Sequence, residues 1–185
     1  YVEGIGEATF YGPKLDVQIR SVLGKEDTIA TNQLDFIVPE RFGLEFTNEK
    51  GEKETPVVIH RAIMGSFDRF FAFYLEHTAG DFPLWLSPIQ AVIVPIADRH
   101  LAYANQIAAQ MRKNKLRVEV DSRPERMNAK IRDAELQKIP LILVVGDKEA
   151  EAGAVNVRER HVKEQRTLEL AALIEEMKER VEARK

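Results

Sequence analysis

The sequence predicts a chain in two parts: an α+β region built on an antiparallel sheet, then an α/β region with a mixed sheet. Three observations predict it. Up to residue 80 the chain holds β-prone runs joined by short polar turns, which pair consecutively, and then one helix. After Pro88, apolar runs alternate with helical patterns, as strand–helix units do. Between them, "DFPLWLSP" (81–88) is a stiff exit with two prolines, so the boundary is expected at 88–90, with domains at 1–88 and 89–185.

Each element follows from its residues. "EATFYGPKLDVQI" (7–19) holds two β-prone runs around a Gly-Pro break. "TNQLDFIV" (31–38) and "RFGLEFTN" (41–48) read as strands, "NEKGEKE" (48–54) as a charged hairpin turn, and "TPVVIH" (55–60) as the returning strand. A helix starts near Gly65-Ser66. Phe67, Phe70, Phe71 and Tyr74 sit at helical spacing, which predicts a buried face, and Gly80 ends the helix. "QAVIVPI" (90–96) is a short buried strand, followed by a helix with Leu101, Ala104, Ile107, Ala108 and Met111 on one face. "LRVEVD" (116–121) alternates as a strand does. A second helix carries Met127, Ile131 and Ala134, with Leu136 off that stripe. "PLILVVGD" (140–147) is apolar throughout and "AVNVRER" (154–160) is another strand. The final helix is expected from about Leu168, capped by Thr167, with Leu170, Leu173, Ile174, Met177 and Val181 inward.

Composition narrows the function. The 185 residues are 44% apolar and 31% charged, as in soluble globular proteins. No apolar run reaches the length that spans a bilayer and no signal-peptide pattern is present, so a cytoplasmic location without membrane partners is expected. With no Cys, disulfides, thiol chemistry and Cys-ligated metal within this stretch are excluded. The chain opens at Tyr1 in mid-pattern, which reads as a piece of a longer polypeptide. Residues 1–90 carry 8 Lys and Arg against 14 Asp and Glu, whereas residues 91–185 carry 19 against 16. The basic surplus of the second half fits either solvated helix faces or an anionic partner such as RNA.

The run "HRAIMGSFDRF" (60–70) poses the sharpest chemical question. Arg69 falls in the first turn of a helix, where the backbone dipole favours anions, so a cation there has no structural rationale. Ser66 and Arg69 share a face, Gly65 permits close approach to the backbone, and a guanidinium both stacks on a purine and forks onto phosphate oxygens. The set suits a nucleotide; the alternative is an Arg69 that pairs with a surface carboxylate. His60 ends an apolar strand and reads either as a hydrogen-bonded structural residue or as a metal ligand whose companions lie outside this stretch. Neither a Walker loop, nor GxGxxG, nor a HExxH pattern is present.

Several runs carry a family resemblance. "GEATFYGPKLDVQI", "TNQLDFIVPERFGLEF", "PVVIHRAIMGSFDRF" and "FPLWLSPIQAVIVPI" resemble the C-terminal part of the threonyl-tRNA synthetases, class II aminoacyl-tRNA synthetases. "HRAIMGSFDRF" resembles that class's third signature motif. "KIRDAELQKIPLILVVGDKE" with "VNVRER" resembles the anticodon-binding domain that follows. The likeness covers essentially the whole chain in order.

The resemblance implies an ATP-dependent ligase that activates threonine, with Mg2+ accompanying ATP, and transfers it to the terminal adenosine of tRNA(Thr). Arg69 matches the motif-three arginine that stacks on adenine and contacts the phosphates, with Gly65 and Ser66 lining that pocket. Arg69 and Tyr11 are the implied catalytic residues. His60 matches one of three protein ligands of a catalytic Zn2+, the other two lying upstream of Tyr1. A metal that engages threonine's hydroxyl rejects valine. Tyr11 and Lys14 match the threonine pocket, and Thr31 and Gln33 match residues near the tRNA 3′ end. Arg132, Lys138, Glu149 and Arg158 match positions at the anticodon, where unstacked bases are read on their edges. Two departures stand out. Asp27-Thr28-Ile29-Ala30 replaces a common aromatic-Gln-Cys-Gly run whose glutamine helps hold ATP, and Arg123-Pro124 replaces an Arg-Asn pair. Motifs one and two are absent, so this stretch alone is expected not to aminoacylate, and the full-length enzyme is expected to be a homodimer. The competing readings are a non-catalytic synthetase-like RNA-binding paralogue and a sister synthetase of prolyl, glycyl or histidyl type.

Overall fold

The computed structural model describes residues 1–185 and divides into two compact units, Tyr1–Ala79 and Gly80–Lys185. In the first unit, β1 (Lys14–Arg20), β2 (Glu26–Asp35) and β5 (Val58–Ala62) form an antiparallel sheet in the order β1-β2-β5; a short turn joins β1 to β2, whereas residues 36–57 separate β2 from β5. Before Pro13 there is only a single bridge, Thr9 to Gly12, so the first of the two expected runs is not a strand. β2 starts at Glu26 and stops at Asp35, short of the expected Val38. The Asp35 carboxylate accepts the amides of Ile37 (3.0 Å) and Val38 (2.9 Å), which turns the chain into the four-residue α1 (Val38–Arg41) with Pro39 in its first turn. The expected strand 41–48 shrinks to β3 (Phe46–Thr47), paired with β4 (Lys53–Glu54) across a turn in which Asn48 accepts the amides of Lys50 and Glu52.

The helix α2 (Phe67–Thr78) begins where the sequence places it. Ser66 is its N-cap, accepting the Arg69 amide at 3.3 Å, and Ala79 closes it in the left-handed region at φ 51°. Its aromatics form two stacked pairs, Phe67 with Phe71 and Phe70 with Tyr74. None of its residues is buried, contrary to the expected buried face. Periodicity reports an apolar stripe; burial also needs a covering layer, which this unit does not supply.

The second unit carries a five-stranded sheet in the order β10 (Arg166–Glu169), β9 (Ala154–Glu159), β8 (Leu141–Val145), β6 (Ala91–Pro95), β7 (Val118–Val120). β6 runs parallel to β7 and β8; β9 and β10 add antiparallel. The sheet is therefore mixed, as expected. Alternation along β6 and β8 sends Ala91, Ile93, Leu141 and Leu143 to one face. There α3 (Leu101–Lys113) contributes Ile107 and Met111, and α6 (Leu170–Glu182) contributes Leu173 and Met177. Val92, Val94, Ile142 and Val144 face α4 (Met127–Leu136), through Ile131 and Ala134. Leu136 is exposed, off the stripe as predicted.

One expectation changes in this unit, and one element is new. Residues 80–88 pack within this compact unit. Phe82 and Leu84 are buried, and Arg117 donates to the carbonyls of Trp85 (2.8 Å) and Ser87 (2.9 Å). Thr167 lies in β10 opposite Asn156, so it is not a cap; α6 starts at Leu170 behind Glu169. A short helix, α5 (Asp147–Ala152), was not foreseen in "GDKEAEAG"; Gly153 ends it at φ 64°. No helix of the chain is long and apolar enough to cross a membrane.

Candidate functional site

In the first unit the polar residues singled out in the sequence converge on one face of the β1-β2-β5 sheet. Successive odd positions of β2 present Thr31, Gln33 and Asp35. Pairing sets Asp16 opposite Thr31, Lys14 opposite Gln33 on one side and His60 opposite Gln33 on the other. Directly opposed residues share a face, so Lys14, Gln33 and His60 form a row across three strands. Side-chain bonds knit the row. Tyr11 donates its hydroxyl to Gln33 Oε1. Lys14 Nζ lies 2.7 Å from Asp16, whose other oxygen accepts the Thr31 hydroxyl at 2.7 Å. The Lys14 bond, then the Thr31 bond, holds the Asp16 carboxyl below the usual carboxylate range.

His60 stands at the end of this row. Its Nε2 lies 2.8 Å from Asp35 Oδ2, and the Tyr11 ring meets the imidazole edge-on at 5.8 Å between centroids. The Asp35 side chain is 1% exposed, whereas that of His60 is 49% exposed. Burial pushes the Asp35 carboxyl up, but the His60 bond and the amides of Val38 and Ile37 outweigh it and leave the group below its ordinary value. His60 Nδ1 has no partner. The chain has no group of three His, Cys, Asp or Glu side chains able to hold a metal, so His60 fits a metal only as one ligand of a shared set.

Gly65, Ser66 and Arg69 flank the turn into α2. Gly65 sits at φ 60°, and a Cβ there would stand 3.3 Å from the Ile29 carbonyl. Ile29 is the extra residue of a bulge in β2, where the register slips beside Val17 and Gln18. The bulge brings Thr28 to Gln18, whose Nε2 donates to the Thr28 hydroxyl at 2.8 Å. Close approach at Gly65 therefore serves this chain's own backbone, and the Ser66 hydroxyl caps the helix. Arg69 is exposed and forms no ion pair; it borders an open cavity of about 610 Å3 with Lys25, Asp27, Phe73 and Glu76.

In the second unit the four candidate residues fall on three elements. Arg158, on β9, pairs with Ile142 and so shares the sheet face that α4 covers further along. Its Nε is buried and has no hydrogen-bond partner. Arg132 is exposed on α4, and Lys138 follows that helix at φ 57°, its carbonyl accepting from Arg160. Glu149 lies on α5 and accepts the Gly146 amide at 2.9 Å, beyond the other end of β8 from Ile142. The four thus come from different elements of the unit. The structure adds a cavity of about 360 Å3 lined by Asp121, Arg123, Lys130, Asp133 and Gln137, which sequence reasoning missed. Lys130 is buried, donating to the Asp121 carbonyl at 3.0 Å, and nothing in its helical spacing distinguishes it from a solvated lysine.

Comparison with known proteins agrees with this division. A family model described as tRNA synthetase class II core domain (G, H, P, S and T) matches residues 2–78, and one described as anticodon binding domain matches residues 90–180. Fold and site together define part of a class II aminoacyl-tRNA synthetase. A threonine–tRNA ligase of Thermus thermophilus is 50% identical over 170 residues, 92% of this chain and 26% of the relative. That of Rubrobacter xylanophilus is 50% identical over 186 residues, 100% of this chain and 29% of the relative. The crystal structure of the RNA binding domain of threonyl-tRNA synthetase from Cryptosporidium parvum superposes with a TM-score of 0.84 at 36% identity, covering 94% of this chain and 44% of that one. The chain belongs to the threonyl-tRNA synthetase family. It spans about a quarter of the length of the curated relatives it matches.

Proposed function

We propose that the chain supplies one part of the active site and the anticodon reader of a threonine–tRNA ligase. The whole enzyme activates threonine with ATP and Mg2+ and transfers it to the 3′ adenosine of tRNA(Thr), acting as a homodimer in the cytoplasm. Tyr11, Lys14, Thr31 and Gln33 hold the amino acid and the tRNA end. Arg69, exposed and unpaired beside Gly65 and Ser66, meets ATP. His60 offers one imidazole nitrogen to a zinc ion that, when bound, engages the amino group and hydroxyl of threonine. Arg132, Lys138, Glu149 and Arg158 serve anticodon recognition. In this reading the two domains are 1–88 and 89–185, while the compact units meet at 79/80.

The observation that carries the reading is the row Lys14–Gln33–His60 with Tyr11 on Gln33, a built polar face assembled from three strands. The test is a binding titration of the 185-residue chain against two anticodon stem-loops, one of threonine type and one with its anticodon changed, at two salt concentrations. Preference for the threonine loop, lost in Arg158→Ala, is expected. Equal and salt-sensitive binding of both loops, the signature of phosphate attraction alone, would overturn the anticodon assignment.

A further inference from the structure

We infer that Asp35 is the positioning residue for His60, fixing the imidazole in the tautomer that carries its proton on Nε2 and leaving Nδ1 as the ring's free lone pair. This rests on the zinc reading for its use in the enzyme, but not for its geometry.

The hydrogen-bond inventory of Asp35 is nearly closed. Oδ1 accepts the amides of Ile37 at 3.0 Å and Val38 at 2.9 Å, and Oδ2 faces His60 Nε2 at 2.8 Å. A carboxylate has only acceptors, so the proton in the last contact must come from the ring. With Nε2 donating, a neutral His60 presents Nδ1 as its only acceptor. The fold makes Asp35 rigid enough for this task. Its side chain is almost fully buried, and its Oδ1 bonds create the turn from β2 into α1, so it cannot swing away without losing that turn. Tyr11, held by Gln33, bears on the ring from a second direction. Were a metal held here, Nδ1 would be the nitrogen His60 offers it, with the ring oriented by a carboxylate from the neighbouring strand.

Long-range nitrogen spectra of the 15N-labelled chain, recorded across a pH series, read the tautomer directly. The expected pattern is a protonated Nε2 and an unprotonated Nδ1. In Asp35→Asn the amide oxygen must still accept Ile37 and Val38, so the NH2 group faces the ring. Nε2 must then accept and the proton moves to Nδ1, inverting the pattern. A wild-type ring protonated on Nδ1, or a folded Asp35→Asn chain with an unchanged pattern, overturns the assignment. The wild-type spectrum decides by itself if the variant does not fold. In the longer enzyme, zinc affinity is expected to fall about 10- to 100-fold in Asp35→Asn. A longer enzyme that binds no zinc while its His60 keeps the Nε2 proton overturns the zinc reading and leaves the role of Asp35 standing.

Discussion

Arg158→Met separates function from stability at one position. Arg158 Nε is buried without a partner, and a buried donor left unmet costs about 1–3 kcal/mol. Methionine keeps most of the apolar stem and removes the unmet donor. The second unit is therefore expected to keep its stability or gain up to about 1 kcal/mol, the remainder being absorbed by imperfect packing. RNA binding moves the other way. A forked contact from a guanidinium to a base edge is worth about 1–3 kcal/mol, so affinity for the threonine-type stem-loop should drop roughly 5- to 150-fold, with discrimination lost at one base. Urea unfolding gives the first quantity, and fluorescence anisotropy at fixed salt gives the second. Repeating the titration across salt distinguishes base from phosphate: a base contact leaves the salt slope unchanged, whereas a phosphate contact lowers it by about 1. A variant destabilised by more than about 1 kcal/mol with unchanged RNA affinity would show that Arg158 is a packing residue and refute the reasoning.

Other outcomes follow from the same structure. Gly65→Ala forces a side chain into φ 60° and against the Ile29 carbonyl, and should destabilise the first unit by about 1–2 kcal/mol in thermal unfolding. Leu143→Ala empties a fully buried position in β8, and should cost the second unit about 2–5 kcal/mol in urea. Asp121 is held below its ordinary pKa of 3.8, first by the bonds from Arg123. Its ionised form is favoured in the folded state, so its contribution is complete above about pH 5 and disappears as acid drives it through its folded pKa. Asp121→Asn should therefore lose less stability than the wild type between about pH 5 and pH 2.

What could be read from the sequence followed how local each signal is. The strands of the second unit were legible because "QAVIVPI" and "PLILVVGD" are buried on both faces and so are apolar throughout. The start of α2 near Gly65-Ser66 was legible because the helical spacing of Phe67, Phe70, Phe71 and Tyr74 is a local signal. The α6 start was misread because Thr167 fits a cap equally well as a strand, and only pairing with Asn156 decides between them. The end of β2 was invisible because it depends on Asp35 folding back on the amides of Ile37 and Val38. The same holds for the site. Motif resemblance named His60, Tyr11 and Gln33 one by one. Their meeting, and the place of Asp35 among them, is a property of strand register, which no spacing rule encodes.

The distribution of burial implies that the two units do not share one stability. All 27 buried apolar residues lie in the second unit; the first buries only Asp35 and Pro39. Ordering a residue's backbone costs about 1–2 kcal/mol, and a net hydrogen bond returns about 1, so strands without apolar burial are close to balance. Burial at roughly 25 cal/mol per Å2 is what normally tips that balance, and the first unit has little of it: Leu15, Val17, Ile59, Phe67 and Phe71 are all at least 46% exposed. The 185-residue chain is therefore expected to unfold in two steps in urea, β1, β2 and β5 first. Amide exchange should show the same order, with β6 and β8 protected long after Gln33 and His60 have exchanged. Binding of an anticodon stem-loop should survive the first step and end with the second, because Arg158 and Glu149 belong to the unit that retains its core. One cooperative transition, with equal protection in β2 and β8, would refute this account of where the stability of the chain resides.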